Sequence, residues 1–177
     1  MKKIITLLLI SFLSTTIVSA QKVYETKNAQ IRFIAVDDKD IDAVNKQVYS
    51  RLEPNGKLSF SGLAKGFHFD MEKMEEHFNS EYIESNKFPN VVFNGQITNI
   101  KAVDFKKDGR YPVVVAGTMQ VHGVNKAITT NGIVEIKGGV VKASAQFTVT
   151  IKDFGIGGIM IKLVADKINV DVAATYQ

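Results

Sequence analysis

Hydrophobic and polar residues alternate along most of this chain. Val141, Ala143, Ala145, Phe147, Val149 and Ile151 are interleaved with Lys142, Ser144, Gln146, Thr148 and Thr150. A period of two sustained over a run of this length specifies a strand with one dry face and one wet face. Tyr111, Val113, Val115, Met119 and Val121 repeat the pattern, with Gly117 on the same face. So do Ile168, Val170, Val172 and Ala174 near the end, and Ala29, Ile31, Phe33 and Ala35 near the start. Asn55-Gly56, Asp108-Gly109, Gly138-Gly139 and the stretch His122-Gly123-Val124-Asn125 punctuate the runs, as hairpin turns require. Eight strands are predicted, over 23–36, 42–52, 57–69, 90–104, 110–122, 125–137, 139–151 and 161–175. Long consecutive antiparallel strands must hide their dry face, and eight can close on themselves and leave no open edge. The expected fold is all-β, an eight-stranded antiparallel barrel.

One segment departs from this period. Met71, Met74, Glu75 and Phe78 recur at spacings of three and four, which predicts a short helix over 70–79, between the third and fourth strands. Asp70 is the expected N-cap and Ser80 lies beyond the end. Pro89 holds Phe88 extended and opens the next strand. The helix is placed to cover one end of the barrel.

A barrel of this size either fills with side chains or leaves room for one small ligand. The inner face is assigned Phe33, Phe60, Phe93, Val113, Val115, Met119, Ala143, Ala145, Phe147 and Val170. Small residues, Ala29, Gly95, Gly117, Gly132 and Ala174, lie among them. Few inward positions are charged, so any open space suits a hydrocarbon. A packed interior and a hollow one remain equal alternatives at this point.

The N-terminus changes the compartment. Lys2 and Lys3 precede an apolar stretch from Ile4 to Val18, and Val18-Ser19-Ala20 offers a peptidase site. Residues 1–20 read as a secretory signal cleaved after Ala20, leaving a domain over 21–177. The apolar run is about 15 residues, shorter than the roughly 20 of a spanning helix. A periplasmic or secreted location is expected. The formal charge of +4 loses two lysines with the signal, and no dense basic stripe remains, so nucleic acid is not an expected partner.

Candidate chemistry is sparse. The 177-residue chain has no cysteine, which removes thiol catalysis, thiolate metal sites and lipid attachment through a lipobox. His68, His77 and His122 show no metal-ligand spacing, and no Ser-His-Asp set is discernible. Asp153-Phe154-Gly155 lacks the other parts of a kinase. His122 reads as a brace for its turn, and Glu81 and Glu84 as solvated carboxylates. Lys152, Lys162 and Lys167 surround the last turn. Gathered at a barrel mouth they would meet a phosphate or carboxylate head group, although alternation points Lys152 and Lys162 outward. Arg32 and Arg110 are weaker candidates. No cofactor, no metal and no catalytic residue are expected.

Three blocks carry a resemblance to a known family. Glu76 to Gly95 contains Tyr82-Ile83-Glu84-Ser85-Asn86-Lys87-Phe88-Pro89 followed by Phe93 and Gly95. Gly117 to Lys126 contains Val121-His122-Gly123-Val124. Asp153 to Ile156 is followed by Leu163 to Ile168. Together they resemble the YceI-like family over nearly the whole mature chain. The departures are the stretches 30–47 and 157–160. The resemblance implies a lipocalin-like barrel that binds a polyisoprenoid (quinone or polyprenyl) or a similar long-chain amphiphile, without catalysis. Transient membrane contact and a homodimer complete the expectation. The alternatives are a packed barrel with an envelope partner, or an enzyme in the barrel, which would need polar groups converging inward.

Overall fold

The computed structural model describes residues 22–157 and 166–177. Among these residues the period-two runs form nine antiparallel strands. They are β1 (Tyr24–Ala35), β2 (Asp42–Leu52), β3 (Lys57–Leu63), β4 (His68–Phe69), β5 (Asn90–Ile97), β6 (Gly109–Val121), β7 (Val124–Lys137), β8 (Val140–Thr150) and β9 (Lys167–Tyr176). Their order is β1-β9-β8-β7-β6-β5-β3-β2, and β2 pairs back onto β1. Eight strands therefore close a barrel, and β4 is a two-residue addition on β2.

The short strand corrects the expected run over 57–69. β3 stops at Leu63, and a 3₁₀ turn over Ala64–Gly66 separates it from β4. The cause is Asn45, a buried residue of β2. Its Nδ2 donates to the Leu63 carbonyl at 3.0 Å, and a Cβ on Gly66 would lie 2.6 Å from that same nitrogen. The chain turns around this amide because a buried amide must be bonded.

The fourth strand likewise ends at Ile97, not near 104. Asn99 Oδ1 accepts from the Val114 amide at 2.8 Å, taking the place of a backbone partner. The chain then folds across the barrel end as a 3₁₀ turn over Ile100–Ala102.

The helix is α1 (Glu72–His77), and it continues as one π-helical turn over Phe78–Tyr82, past the expected end before Ser80. Asp70 is not its cap: Met71 holds that position, with no side-chain hydrogen bond, and its side chain is exposed. Met74 and Phe78 carry the packing face.

The core has two layers along the barrel axis. The closed end is filled by Leu52, Leu58, Ile97, Val134, Ile136 and Val141, with Tyr24 stacked on Phe105 at 5.2 Å. Ser50 and Tyr176, both fully buried, share a 2.7 Å hydrogen bond there. Burial pushes the Tyr176 hydroxyl up to about 12. Its neutral form is the one that fits, so its stabilisation is complete below pH ~10 and is lost as pH rises towards 12. Tyr176→Phe removes this alkaline loss and strands the Ser50 hydroxyl. We expect it to cost roughly 1–3 kcal/mol at neutral pH in a urea titration.

The second layer lies at the opposite end, around Phe33, Phe67, Met119, Val149, Phe154 and Val170. β7 and β8 pair only from Gly132 and Ala145 towards the closed end. Towards the mouth the two strands separate, and the only described bridge is Thr130 Oγ1 donating to the Gln146 carbonyl at 3.3 Å.

Candidate functional site

Between the two layers is an apolar cavity of about 200 Å³. Strand alternation places its walls. Phe93 pairs with Met119 across β5 and β6, and Phe147 with Val170 across β8 and β9, which in turn faces Phe33 of β1. All ten apolar positions assigned to the inner face, from Phe33 to Val170, line it. Among its described lining residues only Tyr82, Thr130 and Ser144 carry a polar side-chain atom, and none is charged. Some of the assigned small residues do not open space. Gly95 and Gly117 face each other across β5 and β6, and a Cβ on either would lie 2.7 Å or less from the Phe93 ring.

The mouth carries a lid. Phe78 of the helical segment meets Phe33, Phe67 and Phe69 at centroid distances of 5.6, 6.0 and 5.2 Å. Phe33 also contacts Phe67 at 5.3 Å and Phe69 at 5.7 Å. Met74 joins this aromatic plug. Sequence reasoning saw Met74 and Phe78 as one helix face but not Phe67 and Phe69. The period-two reading of 57–69 concealed the turn that aims them at the lid.

The lid is tied to the rim. Phe88 leans on the His122 ring at 4.5 Å, and a Cβ on Gly123 would lie 2.6 Å from the Phe88 ring. Residues 122 and 123 adopt φ of +52° and +72° as the two-residue turn between β6 and β7. Both central residues of such a turn need positive φ, which glycine takes freely and histidine tolerates better than most residues. His122 Nε2 lies 2.9 Å from Glu84 Oε2, and Nδ1 lies 3.2 Å from the Phe154 carbonyl. Glu84 is thus not simply solvated. Its hydrogen bond to His122 holds its carboxyl below the usual range, helped by the charge of Lys87.

The cationic candidates stand apart from the cavity. Lys152 and Lys167 are at the mouth end, exposed, and do not line it. Lys162 lies outside the described residues, as does the segment read as an export signal. Arg32 points outward and makes an ion pair with Asp42, whose carboxyl is lowered mainly by the Arg32 hydrogen bond. Arg110 approaches Glu135 at 3.9 Å. Among the described residues no group of three His, Asp or Glu side chains could hold a metal ion. No described helix is long and apolar enough to cross a membrane.

Comparison with known proteins adds the family relation. The model of the YceI-like domain matches residues 15–176. A search of curated proteins gives no match. Among solved structures, a polyisoprenoid binding domain from Saccharophagus degradans, implicated in plant cell wall breakdown, superposes with a TM-score of 0.76 at 10% identity. It covers 89% of this chain and 99% of its own. BcnA of Burkholderia cenocepacia gives 0.69 at 11% identity, covering 84% and 96%. The YceI protein of Campylobacter jejuni gives 0.55 at 16% identity, covering 99% of each. At these identities the likeness establishes the barrel.

Proposed function

We propose, for a chain that belongs to the YceI-like domain family, that the barrel is a non-catalytic binding site for the apolar chain of a polyisoprenoid or similar long-chain lipid. The observation that carries this reading is the lining, which among the described residues is almost wholly hydrocarbon and carries no charge. Each methylene withdrawn from water into such a space gains about 0.8 kcal/mol before ordering costs. Among the described residues no polar groups converge inside the barrel as catalysis would need, which supports a carrier or sequestering role. The polyisoprenoid-binding description of one structural neighbour points the same way.

The volume sets a condition. About 200 Å³ is slightly more than an apolar cavity that admits benzene, and less than the roughly 300–1,000 Å³ of usual ligand sites. A space of this size holds only a short segment, so a long chain would need more room, and displacement of the Phe78 plug would supply it. The signal-like N-terminus supports action in the cell envelope, where such a carrier would keep a lipid out of water between membranes.

A chain-length series tests the reading. A fluorescent apolar probe is bound to the mature protein and displaced by prenyl alcohols and straight-chain alcohols of increasing length. Affinity should rise by up to about fourfold per added methylene and then level off. Absence of saturable binding at every length would shift the reading to a packed barrel that serves a protein partner.

A further inference from the structure

His122 sits where three parts of the mouth meet. Glu84, bonded to Nε2, directly follows Tyr82 and Ile83 of the lid. Phe154, whose carbonyl faces Nδ1, belongs to the 3₁₀ turn Ile151–Phe154 after β8. Val121 precedes His122 at the end of β6. Tyr82, Ile83, Val121 and Phe154 all line the cavity. One imidazole, with its side chain only 14% exposed, therefore joins three walls of the ligand space.

The partners decide which form of the ring fits. A carbonyl oxygen only accepts, and so does an ionised carboxylate. A neutral imidazole has one N–H and can satisfy one of them, leaving a lone pair against the other. The imidazolium donates to both. The other two histidines lack this arrangement. His68 pairs with Glu75 at 3.3 Å and His77 with Glu81 at 3.0 Å, each through Nδ1 alone, and both are more exposed. A neutral ring serves them as well.

Backbone geometry marks the same contact. Among the described residues, Glu84 at φ +45° and His122 at φ +52° are the only non-glycine residues with positive φ, and they are bonded to each other. Such conformations persist where the surroundings over-determine them. We propose that His122 is a positioning residue that clamps the lid to the rim as an imidazolium, so that opening of the cavity is controlled by pH. This rests on the reading of the interior as a ligand site.

The charged groups on the elements around the ring are few. The lid brings Glu84 and Lys87, whose Nζ is 3.9 Å from Glu84. The 3₁₀ turn carries Lys152 and Asp153, and β7 carries Lys126. Only Glu84 is bonded to the ring among the described residues. Loss of the second ring proton therefore removes one of the two donors and the charge that faces Glu84. The clamp weakens when that proton is lost at higher pH.

The test is hydrogen exchange of the ligand-free mature protein between pH 5.5 and 8.5, expressed as protection after correction for intrinsic rates. Amides over 82–88 should lose roughly tenfold protection, the size of one charge-assisted hydrogen bond. Amides at the closed end of β6 and β7 should not change with them. His122→Asn, which tolerates positive φ and does not titrate there, should give a flat profile. Glu84→Gln should flatten it too, and it serves if the first variant folds poorly. A flat wild-type profile, or a slope that survives in both variants, overturns the proposal. In parallel, release of the fluorescent probe should quicken over the same pH range. A protein that binds no probe at any pH contradicts the carrier reading, while the exchange data still decide the clamp.

Discussion

Phe33→Ala should lower stability by about 3–5 kcal/mol and at the same time widen what the protein can bind. Phe33 is 9% exposed and is the ring against which Phe67, Phe69 and Phe78 all pack. Its removal costs the transfer energy of a phenyl group and leaves a void beside the cavity. Closing that void would require three other rings on two separate segments to move together, so relaxation is incomplete and the cost stays high. The void adjoins apolar space, so bulkier apolar probes should bind better than they do to the wild type. Urea unfolding gives the first quantity and probe titration the second. A loss below about 1 kcal/mol would mean that the plug is not part of the packed fold.

The opposite change is expected from Ala143→Phe. Ala143 lines the cavity between Val134 and Ala174 of the neighbouring strands, and a phenyl ring there would occupy much of the 200 Å³. Affinity for any chain should fall at least tenfold, while overpacking costs about 1–3 kcal/mol. The two variants separate room from stability. Phe33→Ala weakens the fold and keeps the ligand space, and Ala143→Phe keeps most of the fold and removes it. If Ala143→Phe binds as well as the wild type, the ligand lies elsewhere.

The barrel wall was legible because period two with one dry face leaves little freedom. Val113, Val115, Ala143 and Val170 could be placed inside from alternation alone, and they line the cavity. What alternation could not show is where a strand stops for a tertiary reason. Asn45 cuts β3 short at Leu63 from a position 18 residues away, and that break turns Phe67 and Phe69 towards the lid. The clamp was hidden for a related reason. Glu84 and His122 are 38 residues apart, and neither has a local pattern that names the other. The helix was visible from Met74 and Phe78, but its extension as a π-helical turn to Tyr82 was not, since that turn has no distinct spacing. Lys152 and Lys167 show the limit in the other direction. Their clustering in sequence is real, and the structure leaves both of them in solvent.

The most direct test of the carrier account is native mass spectrometry of the protein purified from its own cells, followed by organic extraction and mass analysis. The account predicts one isoprenoid or acyl species per protein, absent from Ala143→Phe prepared in the same way. Bare protein that also takes up no added quinone or polyprenyl lipid would contradict it.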